Sequence, residues 1–205
     1  MSRTRPPHPP IAAGDARNLV VERLNAFKPG ELDDLCEATD AAIEGGGGFG
    51  WVNPPPRDTL ESYWRGVMLV PERSLFVARL DGTICGSAQL LRPSRNNEAQ
   101  AFAAQLQSAF IAPWARGHGL ARMLTVAIEE EARRAGFTVL LLDVRETQER
   151  AIAHYKSLGY VCWGTNPFYA RIGGKYLAGH YYYKTLDAGL TTGRAAARAD
   201  EPPRP

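Results

Sequence analysis

Apolar and polar residues follow two kinds of spacing along this chain. Alternating or nearly continuous apolar runs predict strands, and apolar residues three and four positions apart predict helices. The Asp81-Gly82 pair, which lies between two alternating runs, predicts a tight hairpin. The predicted strands are residues 18–27, 74–80, 83–91, 99–111, 139–144, 160–163, 168–172 and 177–186, and the predicted helices are residues 32–43, 57–70, 118–135 and 148–158.

The order of these elements indicates the architecture. One strand and two helices precede an antiparallel group of strands, and strand–helix–strand–helix–strand and a final hairpin follow. The run 139–144 is apolar almost throughout, which is typical of a strand buried on both faces. The helix before it predicts parallel pairing with strand 99–111, because parallel strands need a crossover connection. We therefore expect an α/β (α+β) fold in which helices cover both faces of a mixed sheet.

The last two helices carry further signals. Helix 118–135 has one apolar face, and its other face carries Arg122, Thr125, Glu129 and Arg133. Thr147 is the expected N-cap residue of helix 148–158, since threonine side chains accept hydrogen bonds from the first N–H groups of a helix.

Residues 109–122 form the end of a strand, a glycine-bearing turn and the start of a long helix. Glycines let the backbone approach a ligand closely. The first N–H groups of the helix have no partner within it, and together with the helix dipole they form an anion site. Arg116 and Arg122 add positive charge beside the turn. The residues therefore predict a ligand that bears a phosphate or pyrophosphate.

A glycine-rich segment follows the first helix. Gly45 to Gly48 are succeeded by Phe49 and Trp51, and four consecutive glycines do not hold one shape. The segment is either a plain linker or a lid whose aromatic residues touch a substrate.

Composition narrows the classes of protein. A chain of 205 residues with 44% hydrophobic content suits one domain with a core. The net charge of +2 is too small for nucleic acid as the main partner, and no apolar run approaches the ~20 residues of a membrane span. Three separated cysteines without a secretory segment indicate the cytoplasm. Residues 1–16 and 188–205 are expected to be a disordered leader and tail around a domain at 17–187.

Two motifs carry a resemblance to a known family. Residues 116–121, Arg-Gly-His-Gly-Leu-Ala, match the Gln/Arg-x-x-Gly-x-Gly/Ala signature of the GCN5-related N-acetyltransferases, the GNAT superfamily. Residues 148–160 resemble the family's second signature, a helix with Ala and Tyr on one side that ends in Gly-Tyr. Both lie in the expected order with one buried strand between them, and the likeness covers about residues 17–186.

The resemblance implies the GNAT fold, a mostly antiparallel sheet in which the strands 99–111 and 139–144 are parallel and splay apart. It also implies acetyl-CoA as co-substrate. The backbone N–H groups of 117–122 would hold the pyrophosphate, Phe110 and Ile111 would pair with the pantetheine arm, and Gln148 stands where many members have a contacting Asn. The implied cofactor-binding residues are Phe110, Ile111, Arg116, Gly117, His118, Gly119, Leu120, Ala121, Arg122, Gln148 and Tyr155.

The resemblance also implies the chemistry. Tyr155 stands at the position of the general acid that protonates the leaving thiolate, and the backbone N–H of Ile111 at that of the oxyanion donor. Gln105 occupies the usual position of the general base, and an amide does not take up a proton at neutral pH. A water relay, another residue or an acceptor amine of low pKa are the alternatives. His154 is expected to be exposed.

The expected activity is the transfer of the acetyl group to a primary amine of a small molecule or peptide, by direct attack in a ternary complex. The alternative is a non-catalytic acyl-CoA-binding regulatory module. In this family the last strands and first helices wall the acceptor pocket, so Trp51, Tyr169 and Arg171 are the expected substrate-binding residues. Arg171 could pair with an acceptor carboxylate. An amino acid, a polyamine, an antibiotic and a protein N-terminus all remain open as acceptors, a homodimer is an expectation of the resemblance, and no metal is expected.

Overall fold

A computed structural model describes residues 17–47, 50–187 and 189–190. The expected leader, nearly all of the expected tail, and Phe49 of the glycine-rich segment lie outside the described residues. Four helices and seven strands make up this part of the chain. The strands are β1 Leu19–Leu24, β2 Arg73–Leu80, β3 Thr83–Leu91, β4 Ala103–Ile111, β5 Val139–Arg145, β6 Val161–Ile172 and β7 Lys175–Thr185; the helices are α1 Glu31–Glu44, α2 Arg57–Leu69, α3 Leu120–Arg134 and α4 Glu149–Ser157.

The seven strands form one sheet in the order β1-β2-β3-β4-β5-β7-β6. Every neighbouring pair is antiparallel except β4 and β5, which are parallel. The mixed, mostly antiparallel sheet and its parallel pair are therefore confirmed. The hairpin at Asp81-Gly82 is confirmed as well, since β2 and β3 pair directly across it.

The helices cover both faces of the sheet, as predicted. On one face α1 and α2 bury Leu35, Leu60 and Trp64 against β2 and β3. On the other face α3 buries an apolar stripe, and Tyr155 of α4 belongs to the same cluster. The stripe on α3 consists of Leu120, Leu124, Ile128 and Ala132. Burial of side chains of this size stabilises the fold by about 1.5–3 kcal/mol for each fully buried Leu or Ile.

The structure corrects the bounds of two predicted strands. The strand predicted at 99–111 begins only at Ala103, because residues 98–100 form a short 3₁₀ turn. The two strands predicted at 160–163 and 168–172 are one edge strand, β6, in which the register shifts between Asn166 and Ala170. Pro167 lies in that irregularity, where a residue without an N–H does not interrupt the ladder.

One prediction about the later helices is wrong. Helix α4 begins after Gln148, whose side chain makes no capping bond, so Thr147 is not the N-cap residue. Thr125 and Glu129 lie on the face of α3 opposite its apolar stripe, and both are nevertheless buried. Lys184 and Arg133 pair with the Glu129 carboxylate, and this pairing explains why a charged group is tolerated there.

Candidate active site

The parallel strands at the centre of the sheet stay paired for only three residues. Ala103, Ala104 and Gln105 of β4 pair with residues 139–141 of β5, and the rest of both strands diverges. The gap between them is lined by Phe110 and Ile111. The N–H of Ala112 bonds to Cys85 of β3 at 2.8 Å. Since neighbouring N–H groups point to opposite edges of a strand, the N–H of Ile111 points towards the gap.

The turn that follows β4 is shaped by two glycines. Gly117 and Gly119 have φ of 88° and 79°, in the left-handed region that other residues rarely adopt. Gly119 is the N-cap of α3 and no side chain caps the helix. Intrahelical hydrogen bonding begins with the N–H groups of Arg122 and Met123, which both reach the carbonyl of Gly119. The N–H groups of Leu120 and Ala121 precede that first bond, so the helix start presents donors to an anion.

A large cleft of about 920 Å³ runs from this turn to the gap. Ten of the eleven residues predicted from the sequence to bind the cofactor line it. They are Phe110, Ile111, Arg116, Gly117, Gly119, Leu120, Ala121, Arg122, Gln148 and Tyr155. His118 is not among the lining residues; its ring instead accepts a hydrogen bond from the guanidinium of Arg17 at 2.6 Å.

The charges along the large cleft favour a polyanionic ligand. Arg116, Arg122, Arg145 and Arg150 all line it, against the single carboxylate of Glu149 among its lining residues. Arg116 is held in place by a hydrogen bond from its Nε to the carbonyl of Ile111, at 3.3 Å. A guanidinium so fixed loses less entropy when it binds a phosphate.

His154 is half-buried beside this cleft, so the expectation that it is exposed is wrong. Its Nε2 lies 3.0 Å from the hydroxyl of Thr125, which in turn donates to the carbonyl of Ala121 at 2.9 Å. With its proton given to Ala121, the hydroxyl accepts from Nε2–H, which fixes the tautomer of the ring. Burial, and then the charge of Arg122, lower the pKa of His154 below its usual value.

Beyond the gap lies a side pocket of about 460 Å³. Six residues line both the side pocket and the large cleft, which shows that the two cavities meet. These shared residues are Ala109, Arg145, Gln148, Ala151, Tyr155 and Ile172. Tyr155, with a relative exposure of 6%, is therefore at the junction of the two cavities.

Tyr155 is held by neighbouring rings. Its ring packs edge-on against Tyr160 at a centroid distance of 5.4 Å, and the His154 ring lies tilted against it at 5.2 Å. Burial, and to a lesser degree the charge of Asp143, raise the pKa of its hydroxyl above the usual value. The hydroxyl therefore stays protonated at neutral pH, as a proton donor must.

The side pocket contains a hydrogen-bonded carboxylate that the sequence analysis did not single out. Asp143 on β5 lines the pocket and accepts a hydrogen bond from the hydroxyl of Tyr169 on β6. Burial and the bond to Asp143 raise the pKa of Tyr169. Tyr169 is therefore the donor of this hydrogen bond and Asp143 its acceptor. Arg171, predicted to bind substrate, lines the same pocket.

Besides His118, two of the predicted site residues lie away from both cavities. Gln105 is exposed, is absent from the lining of both cavities, and accepts a hydrogen bond from Gln107 at 2.8 Å. Trp51 packs its ring edge-on against Tyr63 at 5.1 Å, and its chain neighbours Gly50 and Val52 line the side pocket in its place.

A chain of hydrogen bonds reaches the side pocket from the β2 end of the sheet. Arg73 donates to Gln89 at 2.6 Å, Gln89 donates to the hydroxyl of Tyr63 at 3.2 Å, and that hydroxyl lies 3.4 Å from Oγ of Ser108. Ser108 lines the side pocket and has φ of 50°, an unfavourable value for serine. Either hydroxyl of the Tyr63–Ser108 contact can be the donor, so the chain of bonds places the Ser108 hydroxyl at the pocket as a group that can donate or accept.

The glycine-rich segment touches the large cleft. The amide of Gln148, which was predicted to contact the cofactor, donates to the carbonyl of Gly46, and residues 45–47 line the cleft. A ligand that reaches Gln148 therefore also meets this segment.

The sequence matches the acetyltransferase (GNAT) family over residues 38–160. The chain belongs to this family. It is 65% identical over 133 residues to an uncharacterized N-acetyltransferase in the hisH-hisA intergenic region of Azospirillum brasilense, a match that covers 65% of this chain and 79% of that protein. The resemblance inferred from the two motifs is confirmed, and so is the class of enzyme, an acetyltransferase.

Solved structures confirm the GNAT fold. An N-acetyltransferase from Staphylococcus aureus Mu50 matches with a TM-score of 0.70 at 18% identity, over 83% of this GNAT chain and 99% of the other. A phosphinothricin acetyltransferase from Sinorhizobium meliloti, solved in complex with acetyl-CoA, matches with a TM-score of 0.69 at 18% identity, over 85% and 91% of the two chains.

Two further observations concern what surrounds the site of this GNAT protein. Of the helices in the described ranges, none is both long and apolar enough to cross a membrane. The described residues contain no cluster of three or more His, Cys, Asp or Glu side chains that could hold a metal ion.

Proposed function

We propose that the protein transfers the acetyl group of acetyl-CoA to a primary amine of a small molecule or peptide, by direct attack in a ternary complex. The observation that carries this proposal is the position of Tyr155 at the junction of two cavities. The large cleft has the charge and the helix start that suit a nucleotide thioester, and the side pocket is the space left for an acceptor. The relatives, which include N-acetyltransferases and an acetyltransferase solved with acetyl-CoA, support the same donor and reaction.

The residues present fit acetyl-CoA. The N–H groups at the start of α3 and the side chains of Arg116 and Arg122 would hold its phosphates, and Phe110 and Ile111 would border its pantetheine arm in the gap. When bound, acetyl-CoA supplies a thioester carbonyl that an amine attacks. The backbone N–H of Ile111 stabilises the negative charge that develops on the carbonyl oxygen.

Tyr155 acts as the general acid. As the bond from carbon to nitrogen forms and the bond from carbon to sulfur breaks, its hydroxyl gives a proton to the departing thiolate. A thiol has an ordinary pKa of about 8.5, so a fully formed thiolate at neutral pH takes up a proton readily. Burial keeps the Tyr155 proton in place until that charge develops.

The amine also has to lose a proton. An amide cannot receive it, and Gln105 lies outside the side pocket. We assign this role to Asp143, which is the carboxylate among the side-pocket residues, either directly or through water. Tyr169 holds one of its oxygens and thereby orients the other.

Thiol release tests the proposal. Acetyl-CoA binding is measured by isothermal titration, and turnover by a colourimetric thiol assay with a panel of amines. Tyr155→Phe is expected to lower kcat by about 10²–10⁴ and to change the acetyl-CoA Kd little, because the ring remains. Tyr183→Phe is the matched control, since Tyr183 on β7 is absent from the lining of both cavities.

The outcomes separate the two functions. Acetyl-CoA binding without thiol release for any amine would favour the non-catalytic acyl-CoA-binding module. Absence of binding at millimolar concentration would refute both. Turnover that Tyr155→Phe leaves at the wild-type rate would remove Tyr155 as the acid.

A further inference from the structure

Charged groups of both signs border the side pocket. Asp143 contributes one carboxylate, and Arg145 and Arg171 contribute two guanidinium groups. The signs of these charges constrain what the pocket binds, because complementary potentials favour a ligand that carries an anion as well as an amine. An acceptor that bears only amines would place a cation next to two guanidinium groups.

Asp143 and Arg145 project from the same face of β5, because they are two residues apart in a strand. Their Cα atoms are about 7 Å apart on this spacing. The charge of Arg145 acts on the hydroxyl of Tyr169 that holds Asp143, lowering the pKa of Tyr169 against the larger effects of burial and Asp143. The negative and positive groups of the pocket are thus neighbours and not opposite walls.

A close contact between Tyr169 and Gly179 fixes the position of the Asp143 carboxylate. The ring of Tyr169 lies on Gly179 so closely that a Cβ at that glycine would come 2.1 Å from the ring. This contact places the Tyr169 hydroxyl on Oδ2 of Asp143. The other oxygen, Oδ1, is the one that an acceptor ammonium can approach.

Arg171, the second cationic residue of the pocket, has N–H donors that can bind a planar anion. The guanidinium of Arg171 lies over the ring of Tyr176 with 5.7 Å between its Cζ and the ring centroid. A cation–π contact uses none of the N–H donors in a hydrogen bond, so the guanidinium can bind a carboxylate with two parallel hydrogen bonds.

We propose that the acceptor carries an anionic group close to its primary amine, as a free amino acid does, with Asp143 taking the amine and Arg145 and Arg171 taking the carboxylate. This inference rests on the proposed acetyl transfer and names its substrate class. A polyamine is excluded as the preferred acceptor, because its second cation would meet two guanidinium groups. A protein N-terminus has an amide in place of the carboxylate, so it can pair with Asp143 and offers no anion to Arg145 and Arg171.

Matched acceptors test the proposal. Each proteinogenic amino acid and its own amide are compared as acceptors by thiol release from acetyl-CoA, with kcat/KM expressed per concentration of unprotonated amine, because the α-amine of the amide has the lower pKa and only the side chain is the same within each pair. For the preferred side chain, kcat/KM of the acid is expected to exceed that of the amide by roughly tenfold to a hundredfold, the effect of losing charge-assisted hydrogen bonds.

Substitutions at Arg171 test whether the side pocket causes the preference for the acid over the amide. Arg171→Gln is expected to bring the ratio of kcat/KM for acid and amide close to one, and Arg171→Lys, which keeps the charge and loses the fork, to leave an intermediate ratio. Arg65→Gln, which changes an exposed arginine on α2, is the control and keeps the wild-type ratio. Arg171 is an exposed residue of the edge strand β6, so its substitution leaves the core intact.

The results distinguish this inference from the function on which it rests. Thiol release that is equally fast or faster with the amides would overturn the anionic acceptor and leave the acetyltransferase in place. A ratio that survives in Arg171→Gln would remove Arg171 from its recognition. Saturable acetyl-CoA binding with no thiol release from any acid, amide or diamine would overturn the proposed function and this inference with it.

Discussion

Single residues position the chemistry of this protein, and Gly179 shows how. It lies on β7 opposite Arg145 of β5, under the ring of Tyr169. No side chain fits there, because a Cβ would lie 2.1 Å from Cγ and 2.7 Å from Cβ of Tyr169, atoms too near the backbone to move cheaply. The glycine therefore allows the hydroxyl of Tyr169 to reach Asp143.

Gly179→Ala is expected to displace Tyr169 and to lower kcat/KM for amines by tenfold or more, while the acetyl-CoA Kd, set by the large cleft, changes little. Steady-state kinetics and titration calorimetry measure the two constants. Gly164→Ala on the adjacent β6 is the control, since a Cβ there meets nothing within 4 Å. An unchanged kcat/KM in Gly179→Ala would contradict the role given to the Tyr169–Asp143 bond.

The sequence predicted the lining of the large cleft much better than that of the side pocket. The glycine turn and the start of α3 are local, so their residues stand together in the sequence and form a recognisable motif. Asp143, Tyr169 and Gly179 come from three strands and meet only when the sheet forms. A lone aspartate at the end of an apolar run gives no local signal of its partner 26 residues away.

At the scale of elements, apolar periodicity predicted nearly every helix and strand, and it gave no information on which polar groups are buried. Thr125 and Glu129 follow the spacing of a solvated helix face, and both are buried because their partners come from α4 and β7. Periodicity does not distinguish a polar group in water from one paired inside the protein. The prediction of two strands in place of β6 was wrong because a proline such as Pro167 normally interrupts a strand, whereas an edge strand tolerates it.

The pairing of Glu129 with Lys184 joins α3 to β7. The Lys184 Nζ lies 2.8 and 2.7 Å from the two carboxylate oxygens, and the Glu129 side chain is 4% exposed. Lys184→Met is expected to lower the free energy of unfolding by on the order of 3 kcal/mol, because it leaves a buried carboxylate with only the more distant Arg133. Urea unfolding followed by circular dichroism measures the change.

Two comparisons make that prediction specific. Glu129→Leu combined with Lys184→Met removes both charges and is expected to recover most of the loss, since replacing a buried pair by apolar residues is often neutral. Lys156→Met, an exposed position on α4, is the surface control. If Lys184→Met alone stays within about 0.5 kcal/mol of the wild type, the range of ordinary surface substitutions, then the pair does not hold α3 on β7.

At the scale of the whole molecule, the sheet consists of two parts that share a short seam. The strands β1 to β4 and the strands β5 to β7 are joined by three residue pairs between β4 and β5, and beyond these the gap opens. The large cleft draws residues from both parts, Phe110 and Ile111 from one and Ile172 and Leu177 from the other. A ligand in the cleft can therefore contact β4 and the strands of the other part where these strands do not contact each other.

This arrangement predicts where acetyl-CoA slows hydrogen exchange. Ligand at about a hundred times its Kd stabilises the bound state by about 2.7 kcal/mol, which slows exchange up to about a hundredfold at amides whose local opening disrupts the binding site. We expect slowing in residues 108–111 and 172–177 on the two sides of the gap, as well as in 117–125 at the helix start. The nucleotide half of coenzyme A, which lacks the pantetheine arm, should slow exchange at 117–125 alone, because it reaches the anion site and not the gap. If intact acetyl-CoA protects only the helix start, then the thioester arm does not lie between the strands, and the junction at Tyr155 is not where the acetyl group is transferred.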